Sequence, residues 1–317
     1  MRHFLTLRDY ERSEIIEILK LAIAIKKDHK AGKISDLMHR KTLGMIFEKN
    51  STRTRVGFET GIYQLGGMGI FLSNKDIQLS RGESIADTAR VISSMVDMVM
   101  IRTFEHERLE EFAKYSYVPL INGLSDLYHP LQVMADYLTM IECGIFNKGS
   151  FEDFAHKQDP RVVYIGDGNN MTHSWLVLAA KMGFELHIAC PKEYLPNSEV
   201  LEFAKSISTH KIKIFEDPRE AIKDCNVVVT DTWISMGQEE EKEARKRAFR
   251  EYCIDASIMA LADKEAIFLH CLPAYRGQEV SAEVLEGKQS RVFQEAENRL
   301  HVQKGIMVWL EQSKKKS

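Results

Sequence analysis

The sequence predicts an α/β protein of two domains, each a mostly parallel sheet with helices on both faces. Short apolar runs alternate with helix-length amphipathic stretches, the pattern of βα repeats. A polar, loop-like segment at residues 144–159 divides the repeats into two series. At 317 residues and 44% hydrophobic content, the chain is long enough to bury two cores.

In chain order, a helical pattern over residues 13–30 places Ile15, Ile16, Leu19 and Ile23 on one face and stops near Gly32. Apolar runs at 43–47, 68–72, 96–101 and 118–121 read as buried strands, with helices starting near Arg53, Ser84 and His106. After Tyr128-His129-Pro130 a helix is expected to about Cys143. The second series places strands at 161–165, 185–189, 211–215, 226–230 and 266–269. Near the C-terminus, Phe293, Ala296, Leu300, Met307 and Leu310 line one face of a long helix with no strand after it, which is expected to pack back on the first domain.

Charged residues make up 28% and the formal net charge is -3, so no general basic field favours nucleic acid or an anionic membrane. An anion site has to be built locally. The first ten residues are charged and lack the apolar core of a secretory signal, and no stretch approaches the roughly 18 apolar residues of a membrane span. The five cysteines, Cys143, Cys190, Cys225, Cys253 and Cys271, lack CxxC spacing and suit neither a disulfide framework nor a zinc site. The expected compartment is the cytoplasm, with no metal or organic cofactor.

The segment Phe47-Glu48-Lys49-Asn50-Ser51-Thr52-Arg53-Thr54-Arg55 joins a strand to a helix. Unpaired amides and the positive helix dipole make arginines there unfavourable by about 0.3–1 kcal/mol each, a sign that a bound anion reverses. Free amides, the hydroxyls of Ser51, Thr52 and Thr54, and arginine together suit a phosphate. A capped helix with solvated arginines is the plainer alternative.

Other strand ends carry polar groups that an open α/β sheet can bring together. Arg102 ends its strand, and His129 to Gln132 follow the loop after the next; either is equally compatible with a surface arginine and a helix cap. Gln78-Leu79-Ser80-Arg81-Gly82-Glu83-Ser84 is a polar loop ending in an N-cap serine. Gly166-Asp167-Gly168-Asn169-Asn170-Met171 invites a dinucleotide reading, but the third glycine is missing and Cys190-Pro191 stands where a ribose-binding acid belongs. Asn170 then offers an amide to a polar substrate. Asp231 suits a substrate ammonium or the capping of a turn, and Cys271, between His270 and a proline turn, is a candidate reactive thiol.

These motifs, in their order along nearly the whole chain, resemble the aspartate/ornithine carbamoyltransferase family, and within it the branch that uses ornithine. The resemblance rests on residues 47–55, Ser80-Arg81-Gly82-Glu83-Ser84, His129-Pro130-Leu131-Gln132, residues 231–239 and His270-Cys271-Leu272-Pro273. It implies a carbamoyl phosphate-binding domain at 1–145, completed by a C-terminal helix at about 290–313, and an ornithine-binding domain at 146–289. Ser51, Thr52, Arg53, Thr54, Arg102, His129 and Gln132 match carbamoyl phosphate ligands. Gln78 matches a ligand supplied across a subunit interface, which implies a homotrimer with shared sites.

Asn170, Asp231, Ser235 and Met236 match positions that hold ornithine. Cys271 and Leu272 match positions beside both substrates, and Arg299 matches an arginine of the final helix that reaches the carbamoyl group. Arg102, His129, Asp231 and Cys271 are expected to take part in the chemistry. The implied reaction gives citrulline and phosphate, with arginine synthesis the expected direction. The aspartate branch carries a lysine before Gly-Glu-Ser and reads His-Pro-Leu-Pro later, whereas this chain has Arg81 and Cys271, which disfavours aspartate as acceptor. A carbamoyltransferase for putrescine or an N-acylated ornithine, and a binding protein without activity, remain as alternatives.

Overall fold

The structure, a computed structural model, describes residues 1–73, 82–146, 160–208, 211–235 and 239–314. The chain forms two compact units, Met1–Ala135 with Glu297–Ser317, and Asp136–Ala296. Among the described residues no helix is long and apolar enough to cross a membrane.

In the first unit the order is α1 (Arg12–Lys30), β1 (Thr42–Phe47), α2 (Thr52–Gln64), β2 (Met68–Ser73), α3 (Ile85–Met95), β3 (Met98–Arg102), α4 (His106–Tyr115) and β4 (Leu120–Leu124), with α5 (Pro130–Glu142) leading out of it. The strands pair in parallel in the order β2-β1-β3-β4. Ile46, Val99, Ile101 and Leu120 pack with Ala89, Leu109 and Phe112 of α3 and α4 in one buried cluster. The parallel arrangement with covering helices agrees with the sequence expectation.

Several strand ends shift from that expectation, two of them for local reasons. Val96, read as strand, caps α3 through its N–H to the Ile92 carbonyl, so β3 starts two residues later. At the other end β4 continues through Asn122 and Gly123, read as loop. Asn122 is buried with its amide donating to the Leu5 carbonyl at 2.9 Å, and a Cβ on Gly123 would lie 2.5 Å from Met100 Sδ. The N-terminal segment also runs along β4, with Phe4 N–H to Leu120 O at 2.7 Å and Asn122 N–H to Phe4 O at 2.8 Å. That pairing covers a sheet edge otherwise open to solvent.

The second unit contains β5 (Arg161–Ile165), α6 (Asn170–Met182), β6 (Glu185–Ala189), α7 (Ser198–Ser208), β7 (Ile212–Phe215), α8 (Pro218–Ala221), β8 (Val227–Thr230), α9 (Lys242–Ala248), α10 (Ala256–Met259), β9 (Ile267–His270) and α11 (Ala282–Leu285). Its strands are parallel in the order β7-β6-β5-β8-β9. Their buried residues fit the continuous apolar runs of a sheet covered on both faces.

The last helix, α12 (Val292–Lys314), belongs from Glu297 onward to the first unit, as expected. Its expected single apolar face needs correction. Phe293 is 67% exposed, whereas residues 301–310 are all buried, including His301, Gln303 and Lys304. Between α1 and α2 the helix is enclosed: Gly305 approaches Ile18 and Ala22, and Gly57 and Gly61 make room for Gln303, Lys304 and Met307. Lys304 survives burial through its Nζ, which donates to Gln64 Oε1 at 2.6 Å. On α1 the buried stripe is Ile15, Ile18, Leu19, Ala22 and Ile25, with Ile16 and Ile23 at its margin.

Candidate active site

Ser51 caps α2: its Oγ accepts the Thr54 N–H at 3.2 Å and donates to Thr54 Oγ1 at 3.0 Å. Thr54 Oγ1 also accepts from Arg299 Nη2 at 2.8 Å, which brings α12 onto the first turn of α2. Thr54 and Arg299 are buried, Arg53 is half-buried and Thr52 is exposed. Arg55 binds Glu59 Oε1 at 3.0 Å and lies 3.6 Å from the Phe71 ring centroid, contacts that account for it as a surface residue of the fold.

Arg102, at the end of β3, and His129 and Gln132, after β4, are all buried. Burial holds the His129 pKa well below its usual value, and the charges of Arg299, Arg102 and Arg53 push it the same way. The first unit thus gathers these cations about a neutral imidazole, with Ser51 and Thr54 at the start of α2. Such a set offers N–H and O–H donors to an anion.

Two residues of the anion segment for which no role was foreseen hold the loops in register. Glu48 donates its N–H to Arg102 O at 2.9 Å, and its carboxylate accepts from Thr103 Oγ1 and, at 2.8 Å, from Arg108 Nη2. Lys49 is buried, bonds Asp126 and lies 4.1 Å from the Phe104 ring centroid. The pair ties the end of β1 to the loops after β3 and β4. Sequence could offer only the presence of charge beside a buried strand as a signal.

In the second unit, β5, β8 and β9 are neighbours and their carboxyl ends carry the candidate groups together. Cys271 Sγ donates to Asp231 Oδ1 at 3.0 Å, the same oxygen accepts the Thr232 N–H at 2.7 Å, and Asp231 Oδ2 accepts from Asn169 Nδ2 at 3.3 Å. Burial of the thiol raises the Cys271 pKa well above its ordinary value, reinforced by Asp231, Glu295 and Asp136. It is therefore a protonated donor at neutral pH. Asn170 opens α6, its carbonyl accepting from Ser174 Oγ at 2.7 Å, and the amide that reaches Asp231 belongs to its neighbour Asn169. Ser235 lies four residues along the loop from Asp231.

Leu272 has a φ of 56°, a left-handed conformation that costs a non-glycine residue roughly 1–2 kcal/mol. Its N–H donates to His270 Nδ1 at 2.9 Å. Asp231, His270 and Cys271 offer donor atoms within 4.8 Å of one another, the distance at which a metal can be held. Each is engaged instead in a hydrogen bond: the thiol with Asp231, and the imidazole with Leu272 and Glu279.

The Gly166-Asp167-Gly168 turn has a structural explanation. A Cβ on Gly168 would lie 2.4 Å from Leu195 C, Pro196 N and Tyr194 O, so the glycine permits two backbones to touch. Asp167 is buried and binds Arg245 Nη1 at 2.8 Å, and the same nitrogen donates to Trp233 O at 3.2 Å. This strut joins the turn to the loop after Asp231. Gln78 and Met236 lie outside the described residues.

Comparison with known proteins covers both units. Residues 2–142 match the family model for the aspartate/ornithine carbamoyltransferase carbamoyl-P binding domain, and residues 158–310 match that for the Asp/Orn binding domain. The ornithine carbamoyltransferase of Wolinella succinogenes is 64% identical over 317 residues, covering 99% of this chain and 100% of that protein. That of Helicobacter hepaticus is 60% identical, covering 98% and 96%. The crystal structure of anabolic ornithine carbamoyltransferase from Campylobacter jejuni matches at 49% identity with a TM-score of 0.90, over 99% of this chain and 100% of that one. The ornithine carbamoyltransferase from Pyrococcus furiosus matches at 42% identity and a TM-score of 0.91, over 98% and 96%.

Proposed function

The chain belongs to the aspartate/ornithine carbamoyltransferase family, and on that premise we propose that it transfers the carbamoyl group of carbamoyl phosphate to the side-chain amine of L-ornithine, giving L-citrulline and phosphate. The observation that carries this reading is the neutral His129 among Arg53, Arg102 and Arg299 in the unit whose family model is named for carbamoyl phosphate. We assign carbamoyl phosphate to Ser51, Thr52, Arg53, Thr54, Arg102, His129, Gln132, Cys271, Leu272 and Arg299, with Gln78 from a neighbouring chain, and ornithine to Asn170, Asp231, Ser235 and Met236. The relatives' names and the anabolic relative from Campylobacter jejuni support ornithine as acceptor and arginine synthesis as direction.

The amine attacks as the free base, so an ammonium of intrinsic pKa about 10.4 first gives up a proton to solvent, a step eased by nearby positive charge. Attack on the carbonyl carbon forms a C–N bond and a tetrahedral intermediate whose oxyanion Arg53, Arg102 and the neutral His129 stabilise by donation. The C–O bond to phosphate then breaks, and the amine proton leaves with the phosphate. Asp231 binds the acceptor's nitrogen. Cys271, kept protonated, orients Asp231 and the acceptor and is not the base.

The protein acts in the cytoplasm as a homotrimer in which Gln78 of each chain serves a neighbour's site. Exposed Val56, Tyr63, Met68, Ile70 and Met95 of α2, β2 and α3 support an association surface on the first unit. The test is an assay of citrulline from carbamoyl phosphate and ornithine beside carbamoylation of putrescine, with the assembly's mass measured in solution. Citrulline formation and about three chain masses are expected. Faster turnover of putrescine, or tight carbamoyl phosphate binding without turnover of any amine, would replace this reading.

A further inference from the structure

We propose that Asn169 is a positioning residue for the acceptor: its side-chain amide turns Asp231 so that Oδ2 is the oxygen presented to the acceptor's nitrogen. The inference rests on the reaction assigned above. Among the described residues, Asp231 Oδ1 accepts two hydrogen bonds, from the Thr232 N–H at 2.7 Å and from Cys271 Sγ at 3.0 Å, which occupy its lone pairs. Oδ2 accepts one, from Asn169 Nδ2 at 3.3 Å, and keeps a lone pair for a further donor. A substrate N–H therefore meets Oδ2.

The direction of the Asn169 amide is set by the helix it caps. Asn169 is the N-cap of α6, and its Oδ1 accepts the N–H groups of Met171 at 2.9 Å and Thr172 at 3.4 Å. The hydroxyl of Tyr164, buried on β5, points at the same oxygen across 3.4 Å, and burial pushes its pKa well above the ordinary value, so it stays a donor. With Oδ1 committed to donors, Nδ2 has to face Asp231. Capping alone does not call for asparagine, because serine or aspartate caps a helix as well. What asparagine adds is a donor on the far side of the cap, and that donor goes to Asp231. The chain on which Asp231 stands is held separately, Thr230 Oγ1 donating to the Ile165 carbonyl at 2.6 Å. The root of the carboxylate is thus fixed by β5 and β8, and its rotation by Asn169, Thr232 and Cys271.

The experiment compares Asn169→Ser, Asn169→Asp and Asn169→Ala in the full chain. Serine keeps a capping oxygen and removes the amide, whereas aspartate keeps cap and size and replaces the donor by an acceptor. Expected in Asn169→Ser is a rise in KM for ornithine of at least about fivefold, with KM for carbamoyl phosphate within about twofold and a melting midpoint within about 3 °C of wild type. Asn169→Ala, which loses the cap as well, should melt lower than Asn169→Ser. In Asn169→Asp the loss depends on pH, because the new carboxyl donates to Asp231 when protonated and repels it when ionised. The ratio of variant to wild-type kcat/KM for ornithine should be at least about threefold higher at about pH 6 than at about pH 9, while the serine ratio stays flat. Tyr164, Asp167 with its partner Arg245, His270 and Cys271 also face Asp231, and they are the same in both variants, so their titration cancels in the comparison.

Unchanged KM for ornithine in Asn169→Ser, or a flat ratio in Asn169→Asp, overturns the proposal. The titration of Asp231, read by carbon NMR of labelled aspartate with Asp231→Asn as the assignment, needs no substrate and should move up by at least about one pH unit in Asn169→Asp. An unmoved titration overturns the contact itself. A wild-type protein that makes no citrulline but shows the shift would remove the assigned reaction and leave the Asn169–Asp231 contact standing.

Discussion

Arg53 stands in the first turn of α2, where the helix dipole opposes its charge. Its place there costs about 0.3–1 kcal/mol without an anion, so its retention implies a ligand rather than a stability role. Arg53→Ala is expected to lower carbamoyl transfer by more than about tenfold, since an oxyanion donor is worth about 10²–10³. The same variant should melt no lower than wild type. Steady-state kinetics beside a thermal melt check both, and unchanged kinetics would count against the anion site. Cys271 shows how a neighbour redirects a residue: sequence offered a candidate reactive thiol, but burial and Asp231 make it a hydrogen-bond donor.

At the scale of elements, α12 packs closely on α1 at Gly305, a contact that helps to seat the helix that carries Arg299. A Cβ on Gly305 would lie 2.9 Å from the Ile18 carbonyl oxygen and 3.0 Å from Ala22 N, so backbone has to move. Alanine gains about 1 kcal/mol of helix propensity over glycine, while overpacking a tight contact costs about 1–3 kcal/mol. Gly305→Ala should therefore destabilise the first unit, with a lower denaturation midpoint. A higher midpoint would mean that α1 and α12 have slack. The Arg299 to Thr54 bond predicts a rise in KM for carbamoyl phosphate in the same variant, because any shift of α12 is felt at the first turn of α2.

For the whole molecule, acid acts on the two units with opposite sign. Burial is the leading cause that lowers the pKa values of His3, His106 and His301 in the first unit to about 4. The unfolded histidines, near 6.5, bind more protons than the folded ones between about pH 4 and 6.5, so this contribution to stability is lost as pH falls through that window. In the second unit burial raises the Asp167 pKa to about 6. There the folded state binds the extra proton, and that contribution increases on acidification between about pH 4 and 6. Hydrogen exchange, corrected for intrinsic rates, should show protection falling more in the first unit than in the second from pH 7 to 5. Equal loss would refute the assignment.

Element order and the parallel class of the sheets were legible in the local pattern of the chain. Runs such as 43–47 and 162–165 are apolar or glycine at every position, a local signature of strands covered on both faces. The pattern also marked which strand ends carry polar groups, because Ser51, Arg53, Asp231 and Cys271 break apolar runs where a packed core would not. Packing was needed to make Asn122 and Gly123 strand, to enclose residues 301–310 all round, and to set Glu48, Lys49, Asn169 and Glu279 where they hold the groups in place. Those facts depend on partners that the chain brings together from distant positions, such as Asn122 with Leu5 and Arg299 with Thr54. Periodicity reports the environment a residue prefers, whereas a hydrogen-bond partner is fixed only when the elements pack.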